Sequence, residues 1–310
     1  MNPEPDEFHA FLAPLAEFFN GYELLFSWED IQALGNAPFT TSLLGALAGA
    51  FAGAYMAQRI AERGKRREEL LVELRSVNAA TALTFEIVNT LLALKTRHVQ
   101  PLNATYQAEH SRYQDYAAKR VTGQIQGNTP YPIQAELRSI PAVSIPTQMV
   151  QDLLFGKISA TGRPLNLAAS LTEALRHLGK AVDRHNELIG DFRARRLPPG
   201  TDLATMYLGL PGPGSQGNRE YGDTVSGITT LTDDAIFFAQ LLCLDLRDYG
   251  RGISDRLRKL LRGEPPRVYA VDFAKARADK LIPNDEDYAS WFTAFEPPPK
   301  RKRRWWKRGA

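Results

Sequence analysis

The sequence predicts an all-α protein: an N-terminal transmembrane helix running into a cytoplasmic helical bundle with long irregular linkers. Three observations predict it. The 28 residues between Asp30 and Arg59 carry no charge, enough for a helix to cross about 30 Å of hydrocarbon. Beyond Glu62, apolar residues recur at spacings of three and four, the period of a helix with one buried face. No two alternating runs joined by a turn signal occur, so no strand pair is predicted. Four segments follow: 1–37, an acidic, aromatic-rich external or interfacial stretch; 38–58, the membrane helix; 59–296, the cytoplasmic domain; and 297–310, a basic aromatic tail.

Charge supports that order. The net charge of +3 conceals a strong asymmetry. Residues 1–58 contain no Lys or Arg and seven acids: Glu4, Asp6, Glu7, Glu17, Glu23, Glu29 and Asp30. Arg59, Arg63, Lys65, Arg66 and Arg67 then follow directly. Basic residues stay on the cytoplasmic side of a membrane helix, so the N-terminus is expected outside and the body in the cytoplasm. The lack of a basic n-region and the late start of the apolar run argue against a cleaved signal peptide. The stretch 7–28 holds Phe and Leu but is interrupted by Glu17, Glu23, Pro14 and Asn20–Gly21. It suits an interfacial helix with Tyr22 and Trp28 at headgroup depth; a second membrane element is the alternative.

Within 38–58, Gly45, Gly49 and Gly53 recur every four residues, and Ala46 and Ala50 widen their strip. Small residues on one helical face let two membrane helices approach closely. The pattern resembles the glycine-zipper motif of oligomeric membrane helices, which implies a homo-oligomer.

Three helices are expected in the body. The first continues from the membrane segment, with Leu70, Leu74, Val77, Leu83, Phe85, Val88, Leu91 and Leu92 on its stripe, and ends before Pro101. Asn78 and Asn89 are candidates for setting register against another helix. The second places Leu171, Leu175, Leu178, Val182, His185, Ile189 and Phe192 at alternating spacings of four and three, a coiled-coil-like seam. The third is expected to begin near Thr232 as N-cap, with Asp233 and Asp234 at the positive end of its dipole. Its first half is apolar all round and belongs at the centre; its second half carries Arg247, Arg251, Arg256, Arg258, Lys259 and Arg262. The linkers are 121–164, with five prolines and one short helix near 145–155, and 197–223, which holds "GLPGPGSQGN".

Motifs for chemistry are absent. No GxxxxGK[ST], HExxH or Gly-x-Ser-x-Gly occurs. Cys243 is the only cysteine and sits in an apolar helix, so an inert buried thiol is expected. No catalytic, cofactor-binding or metal residues are predicted, and the protein is not expected to be an enzyme. Glu173 and His177 read as a surface contact, and His185 as a hydrogen-bonded core histidine. The tail carries Lys300, Arg301, Lys302, Arg303, Arg304, Lys307 and Arg308 around Trp305 and Trp306. Seven cations with two interfacial aromatics fit anionic lipid headgroups, each cation contributing about 1 kcal/mol. The same tail could bind nucleic acid by pairing with phosphates and stacking on bases.

The expected function is a single-pass bacterial inner-membrane protein with a cytoplasmic sensing or interaction domain and an unknown protein partner there, acting as signalling protein, scaffold or membrane effector. A nucleic-acid-associated protein working through the tail is the second reading. An enzyme with a site near His185, Glu86 or His98 is the third.

Overall fold

A computed structural model describes residues 38–126, 130–211, 217–261 and 263–294. Residues 1–37 and the basic tail 300–310 therefore lie outside the described residues, as do residues 212–216 of the Gly/Pro-rich loop and Arg262. The described chain is all-helical, with no strand among the described residues. It divides into two compact units, 1–66 and 67–310.

Helix α1 is Pro38–Leu94. In the first unit, every described side chain from Gly45 to Arg66 on this helix is exposed. In the second unit the same helix turns amphipathic: Leu70, Leu74, Val77, Val88 and Leu91 are buried, as the stripe requires. Pro101 does not end the helix as expected. A π-helical turn, Lys95–Val99, intervenes, in which the Gln100 N–H bonds the Lys95 carbonyl five residues back. Pro101 then sits at the second position of α2 (Gln100–Val121), directly after the π turn, and the helix runs on through it.

An extended segment, 130–146, is clamped between α2 and α4 (Arg163–Arg193). Buried Glu109 accepts from the Tyr131 hydroxyl at 3.0 Å and the Gln134 N–H at 2.9 Å, and Arg112 donates to Glu109 and the Pro132 carbonyl at 2.7 Å. Asn186 accepts from the Ile140 N–H and donates to its carbonyl, both at 2.9 Å. Helix α3 (Thr147–Gly156) follows, close to the expected short helix.

The 197–223 linker is shorter than expected. It contains α5 (Leu203–Leu208), capped by Asp202 accepting from the Thr205 N–H at 2.7 Å. A Cβ at Gly217 would fall 2.2 Å from the Gly209 carbonyl, so the chain before and after residues 212–216 meets where only glycine fits.

Helix α6 (Glu220–Leu260) begins twelve residues before the expected cap. Thr232 is not an N-cap: it is fully buried mid-helix, and its hydroxyl donates to the Ile228 carbonyl at 2.7 Å. That back-bond satisfies the hydroxyl inside a helix. Tyr249 donates to Glu73, Cys243 to the Thr81 carbonyl, Lys95 pairs with Asp233, and Gly222 faces Tyr106. This order makes α6 antiparallel to α1 and α2. The Arg163–Asp245 and Arg184–Glu220 pairs make it antiparallel to α4 as well. The middle of α6 buries Ala235, Ile236, Phe237, Ala239, Leu242, Cys243 and Leu246, the apolar stretch expected at the centre.

Residues 263–294 run across the unit as a strap carrying α7 (Ala274–Ala278) and, after a 3₁₀ turn, α8 (Ala289–Thr293). Asn78 does not set helix register. It donates to the Arg267 carbonyl at 3.0 Å and accepts from the Tyr269 N–H at 2.9 Å, pinning the strap to α1. Asn89 is exposed. Further along, Phe85 meets Phe273, Lys95 donates to the Leu281 carbonyl at 2.9 Å, and Tyr288 to Asp234 at 2.8 Å.

Candidate functional site

The small-residue face of α1 is open. Gly45, Ala46, Gly49, Ala50 and Gly53 are all exposed, and a Cβ at any of the three glycines would meet nothing within 4 Å. The larger neighbours Leu43, Leu47, Phe51, Tyr55, Met56 and Ile60 are exposed too, Phe51 by 64% and Ile60 by 69%. The first charge after this surface, the Arg59 guanidinium, lies 5.0 Å from the Tyr55 ring centroid, within cation–π range.

Two described helices are long and apolar enough to cross a membrane: one stretch runs from Gly45 to Val121, the other is α6. Core helices of soluble proteins pass the same test. The qualifying window of the first is 44% buried. Since residues 45–69 are exposed throughout, that window lies in the packed part of the helix, not on the small-residue face. The α6 window is likewise half buried, at 50%. What sets residues 45–58 apart is an uncharged, exposed surface followed by the basic run from Arg59.

The interior holds a second concentration of polar groups. His185 is fully buried with its ring 5.7 Å from that of Tyr221, which lies 4.5 Å from Tyr207 and 5.9 Å from Tyr106. Its Nδ1 is 3.4 Å from Asn186 Oδ1, and Nε2 has no hydrogen-bond partner among the described residues. The expected hydrogen-bonded core histidine is thus satisfied on one side at most. Burial pushes the His185 pKa down, opposed by Asn186, and pushes Tyr207, Tyr221 and Tyr106 up. These residues form an aromatic core shared by α2, α4, α5 and α6, in which Phe192 also packs on Tyr221 at 5.4 Å.

Protonation of His185 carries a defined stability signature. Above the ordinary histidine pKa of about 6.5, the ring is neutral folded and unfolded, and pH has no effect through it. As pH falls below that value, the unfolded chain takes a proton that the buried ring refuses. Stability then drops by up to about 1.4 kcal/mol per pH unit until the folded pKa is reached. Urea unfolding at pH 7 and pH 5 measures this. The wild type is expected to lose more stability over that interval than His185→Gln; equal losses would show that His185 stays solvated.

The three residues named for an enzyme site are not brought together. His98 lines a cavity of about 20 Å³ with Arg97, Glu136 and Arg138, room for about one water. Glu86 is exposed on α1. No cluster of three metal-ligating residues occurs among the described residues. Cys243 is buried, and burial raises its thiol pKa, as an inert thiol requires. Glu173 and His177 do form an exposed contact, 2.7 Å apart; Arg176, and to a lesser degree His177, hold the Glu173 carboxyl down at about 2.

One groove escaped sequence reasoning. It has about 470 Å³ and is lined by Leu94, Val143, Ile145, Leu175, Leu178 and Val182. It forms where the extended segment passes α4, and no local pattern signals that meeting.

No protein family model, curated protein or solved structure matches this chain.

Proposed function

We propose that this chain is a single-pass membrane protein, anchored by residues 38–58, with a cytoplasmic helical bundle that serves as an interaction module. Copies associate through Gly45, Gly49 and Gly53, whose bare strip lets helix backbones pack closely in lipid. The N-terminus lies outside, and Arg59 to Arg67 hold the exit of the helix on the cytoplasmic side. The bundle serves a scaffold or signalling role toward a cytoplasmic protein, and the tail 300–310 binds anionic headgroups.

One observation carries this reading: an uncharged helical surface from Gly45 to Gln58 whose side chains are exposed along its whole length. Contiguous exposed apolar surface of this kind marks a contact with lipid or another protein. The flanking charges favour lipid.

Alkaline carbonate extraction tests the anchor. The full chain is expected to stay with the membrane pellet, and the chain lacking residues 38–57 to appear in the supernatant. Release of the full chain by carbonate would reject an integral anchor.

A further inference from the structure

The antiparallel arrangement of α6 against α1 has a consequence for charge. Tyr249 donates to Glu73 at 2.7 Å, near the start of α1 within the second unit. From there α6 continues in the direction from which α1 arrives. The C-terminal half of α6 therefore lies at the end where α1 enters the unit. Arg251, Arg256, Arg258 and Lys259 are exposed there, and Arg267 on the strap joins them.

Three of them, Arg251, Arg258 and Arg267, line a cavity. About 420 Å³ opens between α6 and the strap, lined by Arg251, Ser254, Arg258, Pro265, Pro266 and Arg267, with Asp255 and Glu264 also in the wall. The wall is fixed on both sides. Asn78 holds the strap at Arg267 and Tyr269, and Val268 presses on Gly250, where a Cβ would lie 3.1 Å from it.

The plainer explanation of these cations is helix capping by charge, since cations are favoured at a helix C-terminus. It accounts for Arg258 and Lys259 in the last turn. It does not account for Arg251, more than two turns earlier, or for Arg267 on a separate segment. Nor are these cations neutralised in full. Arg251 and Arg258 share exposed carboxylates of Asp248 and Asp255 at 3.2 and 3.0 Å, pairs of small worth in water. Arg267 and Lys259 have no carboxylate partner among the described residues.

We propose that this end of the helical unit docks on the phosphodiester headgroups of anionic lipid, with Arg251, Arg258 and Arg267 around the phosphate. Guanidinium forks match phosphate oxygens in pairs, which suits arginine over lysine at these three positions. Lipid is the favoured source because Arg67, where the chain enters this unit from the side of the proposed anchor, precedes Glu73 by less than two helical turns. Anchoring there keeps headgroups at high local concentration beside the cavity. The inference rests on the membrane reading of residues 38–58 and adds an orientation to it: α6 meets the leaflet with its C-terminal end.

The test uses the full chain in lipid nanodiscs. Gly263→Cys, at an exposed position with open space around it, carries an environment-sensitive fluorophore. Lys119→Cys, exposed near the far end of α2, is the reference. Nitroxide on lipid headgroups quenches nearby label. Discs of phosphatidylcholine are compared with discs that also contain phosphatidylglycerol. Quenching at 263 is expected to rise about twofold or more with phosphatidylglycerol. The reference should not respond, R251E/R258E/R267E should abolish the gain, and Arg267→Gln alone should lower it. Equal quenching in both discs, with the chain still embedded, would overturn the docking surface alone. So would a gain that survives the triple substitution. Loss of the gain on adding inorganic phosphate or single-stranded DNA would reassign the cavity to soluble phosphate or nucleic acid. A chain that elutes apart from both discs overturns the anchor and this inference with it.

Discussion

Phe237→Ala is expected to destabilise the helical unit by about 3–5 kcal/mol, the cost of deleting a fully buried aromatic ring. The ring does more than fill the core. Tyr288 stacks on it at 3.7 Å with 6° between planes, while Trp291 and Phe292 meet it edge-on at 6.3 and 5.7 Å. Such aromatic pairs add about 0.5–1.5 kcal/mol each beyond buried area. All three partners lie at the end of the strap, so the loss should be local as well as global. Hydrogen exchange should show residues 281–294 losing protection before α4 does. Tyr288→Phe is the control. It keeps the stack and removes only the hydroxyl that donates to Asp234, at an expected cost of about 1 kcal/mol. A Phe237→Ala effect no larger than this control would mean that the strap is held elsewhere.

Asp233→Ala is expected to cost about 3 kcal/mol for a different reason. The Lys95 ammonium, only 10% exposed, sits 2.6 Å from Asp233 and donates to the Leu281 carbonyl. Removing the carboxylate leaves a buried cation with one neutral acceptor, and breaking a buried pair from one side costs about 3–5 kcal/mol. The partial exposure of Asp233, 31%, puts the expectation at the low end of that range. Replacing both partners, Lys95→Met with Asp233→Leu, should recover most of the loss, since no charge is then stranded. Urea denaturation of the single and double variants gives the coupling. A double variant as unstable as Asp233→Ala would show that the cost comes from packing. Phe237 and Lys95 together hold the strap, whose last described residue, Ala294, leads toward the basic tail.

The elements legible in the sequence are those whose information is local. The stripe from Leu70 to Leu92 and the seam from Leu171 to Phe192 repeat at helical spacing, and the residues in them are buried or half-buried. The start of α6 was not legible because its first four turns use poor helix formers: Gly222, Gly227, Thr224, Thr229, Thr230 and Thr232. Packing overrides propensity there, and Thr224, Thr229 and Thr232 each donate to the carbonyl four residues back. The strap was illegible for the opposite reason. It has little periodicity of its own and is held by Asn78, Lys95 and Phe237 from distant parts of the chain. Of the candidate sites, the Gly45–Gly49–Gly53 strip was readable as a pattern. The cavity at Arg251, Arg258 and Arg267 needed the antiparallel pairing that joins α6 to the strap.

Lipid contact along residues 43–57 is most directly measured by spin-label accessibility. Single cysteines placed in turn at 43, 47, 51, 54 and 57 would carry nitroxides, with the full chain in lipid discs. Buried Cys243 remains unlabelled. The predicted result is high collision with oxygen, which concentrates in hydrocarbon, and low collision with a water-soluble nickel chelate. Free access of the chelate at all five positions would mean that water surrounds this helix, which would contradict the anchor.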